Sequence, residues 1–140
     1  MSQIHILFPT PVYQTVLDFR PSELKHMLDF LKSCEWAPDT DIVNRPNGET
    51  TKLQADLLLS PELMKLENTI NNEIYRFAKS LQLDLDRHGL KRINSWGNLQ
   101  KKGNYIAEHR HNNTQFAGVF YLQVPENSGD IMFTTRNATW

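Results

Sequence analysis

The spacing of apolar residues changes near Gly89, and this change constrains the fold more than any other feature of the sequence. Before Gly89, apolar residues recur at helical spacing in two segments, which begin at Pro21 and at Ser60-Pro61. After Gly89, segments rich in β-branched and aromatic residues alternate with turn sequences, as in an antiparallel sheet. The predicted strands are Ile93–Gln100, Tyr105–His111, Gln115–Val124 and Asp130–Phe133. Helices followed by such strands are typical of an α+β fold.

Both helical segments are amphipathic. Pro21 lies at a first-turn position, where a missing N–H does no harm. The apolar face behind it comprises Leu24, Met27, Leu28 and Leu31. Ser60 as N-cap and Pro61 at the first helical position predict the start of the second helix. Its apolar face comprises Leu63, Leu66, Ile70, Ile74, Phe77 and Leu81. We expect both helices to pack on the sheet.

Three further segments precede or separate these helices. Ile4–Phe8 and Val12–Leu17 lie on either side of a proline-rich break and are predicted to be edge or first strands. The stretch from Glu35 to Thr51 is polar and contains proline and Asn-Gly, which predicts a long loop rather than a linker between domains.

The composition indicates one globular domain over residues 1–140, with N-terminal strands and helices over about 1–90 and the sheet over about 91–140. Hydrophobic residues make up 39%, and the formal net charge is -1, which argues against a disordered or nucleic-acid-binding chain. The single Cys34 excludes an internal disulfide and a multi-cysteine zinc site. Since no apolar stretch approaches transmembrane length, no membrane partner is expected. A reducing, cytoplasmic location follows as an expectation.

A His-x-His motif is the strongest chemical signal in the sequence. His109 and His111 are one residue apart in a predicted strand, so their side chains should lie on the same face. Neutral imidazole binds iron, zinc, copper or nickel, so the pair limits the class of metal without naming it. By itself the motif also fits two solvated or hydrogen-bonded strand histidines.

The order of motifs around this pair resembles one family. Trp96-Gly-Asn98 and Gly103-Asn104 precede the histidines, and Gly118-Val-Phe-Tyr-Leu122 and Gly129-Asp-Ile-Met-Phe133 follow them. Together with Phe8-Pro-Thr-Pro-Val-Tyr13 near the N-terminus, this order is similar to a bacterial and phage branch of the 2-oxoglutarate and Fe(II)-dependent oxygenases.

The resemblance implies a double-stranded β-helix, or jelly roll, that holds one ferrous ion with two histidines and a carboxylate. By resemblance, His109 is the first iron ligand. His111 stands where the wider superfamily commonly has an acid, so the site would be one negative charge short. The family's distal histidine and the cation that binds 2-oxoglutarate lie further downstream, and no histidine follows His111. We therefore expect either a sheet that closes early or a chain that lacks the C-terminal part of the jelly roll.

Several other residues are candidates for the cosubstrate. Arg136 could pair with a carboxylate, although a solvated strand-end arginine is the favoured alternative. Asn98, Gln100 and Asn104 could donate hydrogen bonds to the cosubstrate or could only form turns. Tyr121 and Trp96 are interpreted as core aromatic residues rather than catalytic ones. The candidate set is thus His109 and His111 for the metal, and Asn98, Gln100, Asn104 and Arg136 for the cosubstrate.

Three hypotheses follow. The first is a non-haem Fe(II) dioxygenase that couples decarboxylation of 2-oxoglutarate to hydroxylation of an unidentified substrate. The second is a non-catalytic jelly-roll binding or structural module that has lost half of its active site. The third is a cupin-like enzyme with an all-histidine metal site, which would need one more histidine. In each case strand edges left exposed would favour pairing into a homo-oligomer.

Overall fold

The computed structural model describes residues 10–39, 48–51 and 56–134. Two main helices are joined by a short antiparallel sheet and by two 3-10 turns. In chain order, the elements are α1 (Pro21–Ser33), β1 (Ala37–Pro38), β2 (Glu49–Thr50), 3-10 helices at Leu57–Leu59 and Pro61–Leu63, α2 (Met64–Ser80), α3 (Leu85–His88) and β3 (Asn98–Leu99). The combination of helices with an antiparallel sheet confirms the α+β class.

Helix α1 begins where the sequence predicts. Pro21 is its first residue, and the carboxylate of Glu23 accepts a hydrogen bond from the backbone N–H of Arg20 at 2.8 Å. This contact satisfies one of the N–H groups that a helix start leaves unpaired. Met27, from the predicted apolar face, is buried.

Helix α2 begins three residues later than predicted. Pro61–Leu63 forms a 3-10 turn, in which the N–H of Leu63 donates to the carbonyl of Ser60 at 2.9 Å. Ser60 is the N-cap residue of this 3-10 turn and Pro61 is its first residue, as predicted, but the Ser60 side chain makes no capping hydrogen bond. The tighter turn satisfies the backbone instead, as is common at helix N-termini.

The core lies between α1, the turn before α2 and α2 itself. Its buried members are Phe19, Met27, Leu63 and Leu66. Phe120, which follows the histidine motif in sequence, packs against this cluster. Its ring centroid lies 6.0 Å from that of Phe19. The second half of the chain is thereby attached to the helices through apolar contacts.

The sheet has the order β1-β2-β3, and all pairs are antiparallel. Pro38 lies in β1, an edge strand, where a residue without an N–H is tolerated. Just before β3, the backbone of Gly97 is held by both threonines that follow Glu49. Its N–H donates to Thr51 Oγ1 at 2.9 Å, and its carbonyl accepts from Thr50 Oγ1 at 3.1 Å and from the N–H of Thr51 at 3.2 Å.

The expected jelly roll is not seen in the described residues. Of the predicted strands, only Asn98–Leu99 within Ile93–Gln100 forms, and residues 100–134 contain no helix or strand. Val12–Leu17 is likewise not a strand, and Ile4–Phe8 lies outside the described residues. A strand needs a ladder partner for its backbone groups, and the described residues offer none to these segments. Within the same residues, no helix combines the length and apolarity needed to cross a bilayer.

Candidate metal centre

The two imidazoles of the His-x-His motif lie side by side. The ring centroids of His109 and His111 are 5.1 Å apart, and the ring planes make an angle of 71°. Both side chains are exposed. A metal ion lies about 2.0–2.1 Å from a ligating imidazole nitrogen, so rings this close can share one ion. The segment is not a strand, so the predicted reason for their proximity is wrong, although the rings are adjacent.

One hydrogen bond fixes the tautomer of His109. Its Nδ1 is 2.9 Å from the carbonyl oxygen of Ala107. Because a carbonyl oxygen can only accept, Nδ1 must donate, which leaves the lone pair of the neutral ring on Nε2. Metal-binding histidines are commonly oriented in this way, with the second ring nitrogen donating to a backbone carbonyl. His109 is therefore prepared to ligate through Nε2.

Trp96 contacts the pair. Its ring centroid is 6.1 Å from that of His111, at an angle of 41°. The sequence interpretation placed Trp96 in the core and missed this contact. Between Trp96 and the histidines the chain turns at Lys101–Asn104, where the N–H of Asn104 donates to the carbonyl of Lys101 at 2.9 Å. Gly103-Asn104 indicates a turn there, but a turn signal alone does not show which side chains meet beyond it.

The segment that carries Trp96 is fixed to the helical half of the protein. The N–H of Leu57 donates to the carbonyl of Ser95 at 3.0 Å, and the N–H of Leu58 donates to Ser95 Oγ at 2.8 Å. Ser95 Oγ in turn donates to Asp56 Oδ1, and Arg92 Nε donates to Asp56 Oδ2 at 2.7 Å. Burial alone would raise the pKa of Asp56, but the hydrogen bonds from Ser95 and Arg92 outweigh it and lower that pKa. Asp56 is thus a stable anion that anchors the segment.

The remaining candidates are spread along the chain. Asn98 lies in β3 opposite Thr50, and Gln100 follows β3; both side chains are exposed. Asn104 ends the turn before the motif and is partly buried. Tyr121, interpreted as a core residue, is 58% exposed. Arg136 lies outside the described residues.

The donor set of the described residues fits part of an iron site. Two imidazoles supply two nitrogen ligands of the kind that Fe(II) accepts. In residues 10–39, 48–51 and 56–134, no group of three or more His, Cys, Asp or Glu side chains is placed to hold a metal. The pair therefore fits two coordination positions, and the described residues do not supply a third protein ligand.

A comparison with protein families addresses the same segment. Residues 94–140 match the family model described as "Putative 2OG-Fe(II) oxygenase". The match covers about a third of the chain, and it includes Trp96, His109 and His111. No curated protein and no solved structure shows significant similarity to the chain. The match supports the resemblance to Fe(II) and 2-oxoglutarate oxygenases at the level of the family, without reference to a bacterial or phage branch.

Proposed function

We propose that this chain is a non-haem Fe(II) and 2-oxoglutarate-dependent dioxygenase that hydroxylates a substrate. The observation that carries the proposal is the imidazole pair, 5.1 Å apart, within the segment that matches the oxygenase family model. When bound, the ferrous ion would couple oxidative decarboxylation of 2-oxoglutarate to hydroxylation. The single cysteine supports a reducing, cytoplasmic setting for such a site.

His109 and His111 have the defined roles in this proposal. His109 ligates through Nε2 while its Nδ1–H stays on the Ala107 carbonyl, so binding requires no change of tautomer. His111 supplies the second nitrogen. With neutral donors at both positions, the chain contributes no negative charge through this pair, and we expect weaker Fe(II) binding than a site that includes a carboxylate would give.

The cosubstrate would be bound by polar groups that flank the pair in sequence. Asn98, Gln100 and Asn104 carry amide N–H donors suited to a carboxylate. Arg136 has the planar fork that pairs with a carboxylate through two hydrogen bonds. These four residues are our candidates for binding 2-oxoglutarate.

The arrangement supports an enzyme over a non-catalytic jelly-roll module. A module that only binds a partner through its surface has no need of two adjacent exposed imidazoles, one of which is held as the tautomer that presents Nε2. The hydrogen bond from Nδ1 is the feature that metal sites use.

Anaerobic titration with Fe(II), with the heat of binding measured by calorimetry, tests the proposal. The 140-residue chain should bind Fe(II), and His109→Ala should abolish the binding because the prepared nitrogen is removed. His88→Ala is the matched control, since His88 is an exposed histidine at the end of α3. It should leave the affinity unchanged. Unchanged Fe(II) uptake by His109→Ala would remove that residue from the site and contradict the proposal.

Addition of 2-oxoglutarate to the same titration tests the cosubstrate. A ligand that binds the metal-loaded site raises the apparent affinity for the metal by linkage. We expect tighter Fe(II) binding with 2-oxoglutarate than with succinate. Equal affinities with the two acids would argue against an oxygenase and favour a metal site of another class.

A further inference from the structure

The imidazole pair lies in a part of the chain with little regular structure. Residues 100–134 contain no helix or strand, so the backbone around His111 is not fixed by a hydrogen-bonded ladder in the described structure. Ordering an exposed side chain on metal binding costs conformational entropy, and a contact that already orients the ring lowers that cost. His111 makes one such contact with Trp96.

Trp96 is suited to this role because both of its neighbours in sequence are fixed. Ser95 is bonded to the 3-10 helix through Leu57 and Leu58. Gly97 is bonded to Thr50 and Thr51. Trp96 therefore projects from a backbone that is hydrogen-bonded on both sides to elements packed with the core.

The indole of Trp96 reaches the pair directly. Its centroid lies 6.1 Å from that of His111, and His111 lies 5.1 Å from His109. His111 thus contacts two rings, one on the backbone held at Ser95 and Gly97 and one held by the hydrogen bond from His109 to Ala107.

We propose that Trp96 is a positioning residue that orients the imidazole of His111. The role of Trp96 in metal binding rests on the proposed function, whereas the contact between the Trp96 and His111 rings does not depend on that function. Groups that orient a metal ligand, when removed, typically reduce metal affinity by about 10- to 100-fold. A planar ring in the same place should retain most of the effect, because the contact is one of ring against ring.

The first arm of the test uses the metal-free protein. The ring current of an indole this close displaces the proton resonances of the His111 imidazole, which NMR detects. Assignment follows from the loss of those resonances in His111→Ala. We expect Trp96→Ala to return them toward free-histidine positions and Trp96→Phe to retain part of the displacement. Resonances of His111 that do not change in Trp96→Ala would overturn the inference.

The second arm measures binding of Co(II) as the probe ion. Trp96→Ala should lower Co(II) affinity by about 10-fold or more, and Trp96→Phe should restore most of it. In a His111→Ala background the Trp96→Ala change should have no further effect, since a positioning residue acts only through the ligand it holds. An equal loss in both backgrounds would show that Trp96 acts elsewhere and would overturn the inference.

Trp36→Phe is the matched control. Trp36 contacts the same segment from another direction, with its ring against Gly97, and its Nε1 donates to the carbonyl of Leu31 at 2.9 Å. The Trp36→Phe variant should change the urea midpoint of unfolding but not the affinity for Co(II). If Trp36→Phe lowers Co(II) affinity as much as Trp96→Ala, general loosening explains both and the inference fails.

The two arms separate this inference from the proposed function. Absence of Co(II) and Fe(II) binding in the unaltered chain would contradict the metal site and, with it, the role of Trp96 in metal binding, whereas the NMR arm would still test the ring contact between Trp96 and His111. Binding by the unaltered chain with no dependence on Trp96 would preserve the metal site and overturn the positioning role.

Discussion

Glu23 connects the two main helices through charged hydrogen bonds. Its carboxylate accepts from the N–H of Arg20 and from Arg20 Nη2, both at 2.8 Å, and from Lys65 Nζ at 2.6 Å. The hydrogen bonds from the Arg20 and Lys65 side chains and the Arg20 backbone lower the pKa of Glu23 to about 2. The Nζ atom of Lys65 also lies 5.5 Å from the centroid of the Phe19 ring. The ion pair of Glu23 and Lys65 is thereby in contact with the core.

The lowered pKa predicts a dependence of stability on pH. A carboxylate with a lowered folded-state pKa stabilises the fold above its ordinary pKa, and this contribution is lost as pH falls toward the folded value. Urea unfolding at several pH values should therefore show Glu23→Gln less stable than the unaltered protein at neutral pH, with the gap closing between pH 4.5 and about 2. Glu62→Gln, at an exposed site, is the control. A gap for Glu23→Gln that stays constant over this range would contradict the account.

Gly97 illustrates a steric requirement at a single residue. A Cβ atom added there would lie 2.9 Å from Cη2 of Trp36 and 3.6 Å from Cδ2 of Leu57. The indole would have to shift, and such overpacking typically costs about 1–3 kcal/mol. We expect Gly97→Ala to lower the free energy of unfolding by that amount in urea titrations. Gly118→Ala, where an added Cβ meets nothing within 4 Å, should be close to neutral. Equal effects at both positions would show that the Trp36 contact is not tight.

At the scale of elements, Arg92 joins the segment before β3 to two helices. Its guanidinium donates to Asp56 and to Glu67 of α2, and its side chain is 22% exposed. Both carboxylates are about as sheltered as the arginine. Partly buried charges that lose their partner retain a desolvation cost, which exposed pairs largely avoid.

This arrangement predicts that Arg92→Met destabilises the protein by about 1–3 kcal/mol, because Asp56 and Glu67 lose a charged donor. Lys101→Met, which removes an exposed ion pair with Glu49, is the control and should cost less than about 1 kcal/mol. Chemical denaturation measures both. Should Lys101→Met prove as costly as Arg92→Met, burial would not be the reason for the effect.

The elements differ in how far the sequence could predict them. Helix α1 follows from local signals, since Pro21 and the spacing behind it lie within one segment. The start of α2 was misplaced because Ser60 satisfies the turn through its carbonyl and not its side chain. The strands after Gly89 depend on partners far away in sequence, so alternation alone could not predict that only Asn98–Leu99 would pair.

In the candidate site too, some features follow from local sequence and others depend on distant parts of the chain. The spacing of His109 and His111 predicted neighbouring rings, and they are adjacent even without a strand. The link to Trp96 could not be read from local pattern, because it depends on how the chain folds back at Lys101–Asn104. The tautomer of His109 depends on the position of the Ala107 carbonyl, which the sequence does not specify.

At the scale of the whole molecule, the helical half is well packed and the half with the imidazole pair is open. Phe19, Met27, Leu63 and Leu66 are buried together, whereas several large apolar side chains beyond the pair are exposed. They are Val119, Tyr121, Val124, Ile131, Met132 and Phe133. Phe120 and Leu122, which alternate in sequence with Val119 and Tyr121, pack against the core. Along Val119–Leu122, exposed apolar side chains therefore alternate with partly buried ones.

The proposed metal site requires His109 and His111 to bind one ion together. Pulsed electron paramagnetic resonance of bound Cu(II), which imidazole binds well, counts coupled imidazole nitrogens directly. We predict two coupled imidazoles in the unaltered chain and in His88→Ala, and one in either His109→Ala or His111→Ala. A Cu(II) spectrum without coupled imidazole, or one that neither substitution changes, would contradict the claim.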